Sequence, residues 1–157
     1  APMFLNVDFA GGGLRPVTLV FARERSLGGI REALDARRTA VFADGMLYGR
    51  EEVLQPLMKA LFEVSDVKYA EKKVTFRVAN RSSIPLTLRK APGSEKVVFP
   101  RDMIIRPFEE VTLTVYGLDN KKPIGLDRFD VNFHVLNFLI DAGKPMTYSL
   151  HFEIPKK

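Results

Sequence analysis

The chain has 157 residues, 46% hydrophobic and 27% charged, enough for one domain or for two small units sharing a core. Its net charge of +5 is scattered, with no basic run longer than pairs such as Lys72-Lys73 and Lys121-Lys122, which argues against a nucleic-acid-binding face. The absence of cysteine excludes disulfides and cysteine-rich zinc sites, and no apolar run approaches the ~20 residues of a membrane-spanning helix.

The sequence opens at "APMFLNVDF", already apolar, without an initiator methionine and without a basic-then-apolar leader pattern, which leads us to expect a fragment. "AGGGLRP" from Ala10 to Pro16 has the glycines of a phosphate loop, and Arg15 adds charge. It precedes a strand, however, whereas a phosphate loop joins a strand to a helix, so a connector is the simpler reading. "PVTLVFA" predicts a buried strand. Ser26 is placed to cap a helix in which Leu27, Ile30, Ala33 and Leu34 form one apolar stripe. Arg37 and Arg38 fall in its last turn, where positive charge complements the helix dipole. They are candidates for gripping an anion, as is Arg15; ion pairs with Asp35, Glu32 or Asp44 are the simpler alternative for the tandem pair. "TAVFA" reads as a second strand, and strand–helix–strand with short connections predicts a βαβ unit with parallel pairing. "DGMLYG" is a turn or hairpin tip, and "REEVLQPLMKALF" is a second helix that Pro56 should kink or split.

A boundary is expected near Glu63 to Asp66. It separates a strand–helix–strand–helix segment, residues 1–63, from an antiparallel Ig-like β-sandwich, residues 64–157. No Gly/Ser linker lies there, so the halves should pack on each other. In the second half the period is two. Val74, Phe76 and Val78; Val111, Leu113 and Val115; Phe129, Val131, Phe133 and Val135; and Met146, Tyr148, Leu150, Phe152 and Ile154 each alternate with polar neighbours. With the shorter runs "IPLTLRK", "KVVF" and "MIIR", about seven strands of this kind indicate a sandwich, and the fold class is α+β.

Residues for chemistry are sparse. The two histidines, His134 and His151, fall on the outward phase of their strands, with Asp130 and Glu153 in phase beside them. If the strands pair, a two-histidine, one-carboxylate metal site is conceivable; two solvated histidines are the simpler reading. No Gly-x-Ser-x-Gly elbow occurs, and Glu51-Glu52 and Glu109-Glu110 read as a helix start and a strand entry. For a sugar platform the exposed aromatic candidates are Tyr48, Tyr116 and Phe138, too few to argue for one.

The segment "DFAGGGLRPVTLVFARERSLGGIREALDARRTAVFADGMLYGREEVLQPL" resembles the end of bacterial PHP-type (polymerase and histidinol phosphatase) phosphoesterases, in particular phosphodiesterases of the Sb-PDE type from Bacteroides-like bacteria. "NFLI" followed by "GKPMTYSLHFEI" resembles the small β-sandwich that ends them. The resemblance implies that the first three elements close a barrel whose two or three divalent metals are bound by His-x-His pairs and an Asp-x-His. None of these motifs occurs here, so no catalytic or metal-binding residue is carried over, and the barrel is expected upstream of Ala1. A non-catalytic accessory domain packing on that barrel follows. It would use no cofactor of its own, would belong to a periplasmic or secreted parent, and would be able to self-associate through the surface the barrel covers. The alternative is a stand-alone sandwich that binds a glycan or a protein.

Overall fold

The structure, a computed structural model, describes residues 16–155. The strands are β1 (Val17–Val20), β2 (Thr39–Ala43), β3 (Met46–Gly49), β4 (Phe62–Ala70), β5 (Lys73–Asn80), β6 (Leu86–Lys90), β7 (Val97–Val98), β8 (Asp102–Ile105), β9 (Glu110–Asp119), β10 (Lys122–Pro123), β11 (Arg128–Asp141) and β12 (Lys144–Glu153). Two helices, α1 (Leu27–Asp35) and α2 (Glu51–Leu61), lie in the first third.

Two sheets face each other. One runs β10-β9-β5-β4, with β7 also on β9. In the other, β11 carries β12 on one edge and β6 followed by β3 on its opposite edge; β8 extends it beyond β6, and β2 and β1 beyond β3. The predicted inward residues form the filling: Val74, Phe76, Val78, Phe129, Val131, Phe133 and Val135 are all fully buried. Rings interlock across the gap, with Phe76 4.5 Å from Phe152 and Phe133 between Phe62 (6.3 Å) and Phe99 (5.2 Å). The buried face of α2 (Leu54, Leu57, Met58, Leu61) joins the same core, so the first segment shares it with the sandwich.

The nine residues of β4 were not anticipated as a strand. It starts directly where α2 ends and sits at a sheet edge with mostly exposed side chains, so its sequence lacks a clean two-residue period. Its bulge between Ser65 and Lys68, with Asp66 at φ 50°, roughens that edge.

The expected parallel βαβ unit is corrected: β1 and β2 pair antiparallel, Val17 opposite Phe42 through Val20 opposite Thr39. The end of α1 explains this. Arg38 N–H bonds the Ala33 carbonyl (2.8 Å) and Arg37 N–H that of Leu34 (2.9 Å), a Schellman turn that reverses the chain. The ladder then continues as Phe21 N–H donates to the Arg38 carbonyl (2.9 Å), while Arg38 Nε donates to the Phe21 carbonyl (3.1 Å). Arg37 and Arg38 therefore lie past the helix rather than in its last turn, and Arg37 occupies the left-handed position (φ 53°) that normally holds glycine. The charge at this helix end comes from Arg50, whose Nη2 donates to the Arg37 carbonyl (3.0 Å) and reaches that of Ala36 (3.4 Å). Releasing a non-glycine residue from this backbone region gains about 1–2 kcal/mol, against about 0.5–1 kcal/mol for the extra freedom of an unfolded glycine. Arg37→Gly should therefore raise the thermal midpoint slightly; a clearly lowered midpoint would contradict this account.

Ser26 caps α1 as expected, accepting from Gly29 N–H (2.9 Å). The hairpin β2–β3 turns on Asp44-Gly45, both at positive φ, the preferred two-residue turn. Pro56 does not split α2. It and Glu52, whose carbonyl loses the intrahelical bond, are both on the solvent side, where that carbonyl is open to water.

Candidate functional site

Three places gather polar side chains. The first is an open cleft of about 640 Å³ at the parallel seam of β3 and β11, where Phe138 pairs with Leu47 and Leu139 with Tyr48. Arg37 and Arg50 line it from the first segment and Asp141 from the end of β11. Its apolar lining includes Val41, Leu139 and Tyr48, a residue that is 42% exposed. The Arg37 guanidinium has no hydrogen-bond or ion-pair partner among the described residues, whereas Arg50 is oriented by the carbonyls it bonds.

The second is Arg38. Its Nη1 donates to Glu32 Oε1 (2.9 Å), its Nη2 contacts Glu32 Oε2, and its Nε is used on Phe21. This hydrogen bonding holds the Glu32 carboxyl below the usual carboxylate range. Of the three anion candidates, then, Arg38 is engaged in holding α1 to the β1–β2 pair, and Arg37 lines the cleft. Arg15 lies outside the described residues.

The third involves the histidines. The register sets His134 opposite Thr147 and His151 opposite Asp130, four residues or about 13 Å apart along the strands. They do not converge. His134 Nδ1 lies 3.1 Å from Thr147 Oγ1. His151 Nδ1 lies 2.6 Å from Asp130 Oδ1 and 2.9 Å from Arg128 Nη2, and Arg128 Nε donates to the same carboxylate oxygen (2.6 Å). Desolvation works to raise the Asp130 pKa, but the bonds from His151 and Arg128, with their charge, hold it below the usual range. Both would-be ligand atoms, Asp130 Oδ1 and His151 Nδ1, are thus already in contact with Arg128. A divalent metal pair of the kind a PHP-type barrel implies does not fit the described residues, and among them no group of three His, Asp or Glu side chains is placed to hold a metal.

Of the aromatic candidates, Tyr48 and Tyr116 are exposed, but Phe138 is fully buried. The register slips between Val135 and Leu139, reversing the side-chain phase of β11. The pivot is Asn137, whose Oδ1 accepts from Thr87 N–H (3.1 Å) and whose Nδ2 donates to the Pro85 carbonyl (2.7 Å). It stands in for the ladder where β6 leaves β11 and β3 takes over. An asparagine inside the apolar run "VLNFLI" was its signal.

Two facing sheets, antiparallel at every described pairing except β3–β11, form a β-sandwich. A family model described as an Ig-like domain (DUF5001) matches residues 62–151, and the chain belongs to that family. No curated protein matches the chain. Among solved structures it is similar to the crystal structure of a two-domain protein containing a predicted PHP-like metal-dependent phosphoesterase from Bacteroides vulgatus. The two are 36% identical, with a TM-score of 0.79, over 88% of this chain and 39% of that one. The chain thus spans about two fifths of that relative's length.

Proposed function

We propose that this chain is a non-catalytic accessory piece that packs against a PHP-type phosphoesterase domain preceding it in a parent protein, stabilising that domain or bordering its substrate entrance. The divalent metals would be bound by the other domain's residues. The observation carrying this reading is the outward apolar row of α1: Leu27, Ile30 and Leu34 are 76, 43 and 49% exposed, although their spacing is that of a packed helix face. Only Gly29 and Ala33 of α1 are buried. A nine-residue helix is marginal alone in water, so such a row calls for a cover. Beside it, β1 pairs only with β2, leaving its other edge open among the described residues. The two-domain make-up of the Bacteroides vulgatus relative, matched over 39% of its length, supports a cover of this kind.

The isolated chain should self-associate through this row. Sedimentation velocity should show mass rising with concentration, and Leu27→Glu/Leu34→Glu should return a monomer with an unchanged thermal midpoint. A wild-type chain that stays monomeric at high micromolar concentration would count against the reading.

A further inference from the structure

We propose that the cleft at the β3–β11 seam binds a sugar carrying one anionic group. This goes beyond the accessory role and does not depend on it. Four features of the cleft define the ligand. Arg37 lines the cleft with a guanidinium that has no partner among the described residues, and it does so from a backbone conformation that disfavours arginine, a kind of strain that concentrates at ligand sites. Arg50 adds a second guanidinium, oriented by the Ala36 and Arg37 carbonyls and with Glu52 Oε2 3.7 Å from its Nε, and the planar fork of such groups suits a phosphate or a carboxylate. The exposed ring of Tyr48, with Val41 beside it, forms an apolar platform for the flat C–H face of a sugar ring. Asp141 accepts hydroxyl hydrogens and repels a second anion, so the ligand has one charged end and one hydroxyl-bearing end.

The volume of about 640 Å³ suits a mono- or disaccharide, and walls from both sides of a seam between chain segments are a common setting for ligand clefts. The sources of the charge, a phosphorylated sugar or a sugar acid, share this chemistry, and the test separates them.

The test is calorimetric titration of the full chain with glucose-6-phosphate, glucuronate, glucose and inorganic phosphate. Saturable binding is expected for at least one of the two charged sugars, with glucose and phosphate each weaker by about tenfold or more. Arg37→Gly, which relieves backbone strain and so keeps the fold, should weaken that binding by about tenfold, as should Tyr48→Ala. The inference is overturned if neither charged sugar saturates below about 10 mM, if glucose or phosphate alone binds as tightly, or if Arg37→Gly binds like wild type.

Discussion

Asn80→Ala should destabilise the fold by about 3–5 kcal/mol, among the largest losses from any single substitution here. Asn80 is completely buried at the end of β5. Its Nδ2 faces the carbonyls of Ile84 (2.8 Å), Ile105 (3.2 Å) and Arg106 (3.1 Å), and its Oδ1 accepts from Ser82 N–H (3.1 Å) and Ser82 Oγ (2.8 Å). One side chain therefore satisfies the backbone of the β5–β6 turn and of the chain leaving β8, joining the two sheets at that end. Alanine removes these partners together and opens a cavity where water has little access. Asn80→Asp should be at least as damaging although its shape is the same, because an oxygen would then face three carbonyls. Urea unfolding should give a large drop in midpoint with little change in slope for both. A loss below about 1 kcal/mol for either would mean that the turn does not rely on this residue.

Phe133→Ala should cost about 3–5 kcal/mol, comparable with the whole stability of a marginal domain. Phe133 sits midway along β11, fully buried, with Phe62 on one side and Phe99 on the other. These neighbours come from β4 and from the loop between β7 and β8, so the cavity would open between the sheets, where strands held by their ladders cannot collapse into it. Ile104→Ala, on an exposed side chain of β8, should change stability by about 0.5 kcal/mol or less. Similar losses at the two sites would contradict the placement of the core.

The sandwich was legible because its main strands are half-buried: in β5, β9, β11 and β12 the two-residue alternation of Phe, Val and Leu with polar residues records which face is inside. What escaped was set by contacts distant in sequence. The edge strand β4 buries too little to show a period. Phe138 turned inward through a slip that only the Asn137 bonds to β6 explain. Of the stripe on α1, Ala33 is buried but Leu27, Ile30 and Leu34 face outward, because periodicity reports that a face is apolar and not what covers it. The arginine pair was visible as charge, but its division of labour depends on one left-handed residue at the helix end. Arg50, which bonds the helix-end carbonyls, is thirteen residues further on and gave no local signal. Tyr48 was legible as an exposed ring; its place across a cleft from Asp141 followed only from the pairing of β3 with β11.

The role proposed for this chain is accessory, with the chemistry left to a PHP-type domain of a parent protein. The most direct test is hydrolysis of bis(p-nitrophenyl) phosphate by the purified chain with manganese or zinc added. The expected result is no release of nitrophenol above the metal-only blank at any chain concentration. A rate that rises in proportion to the chain, and that survives further purification, would contradict the account.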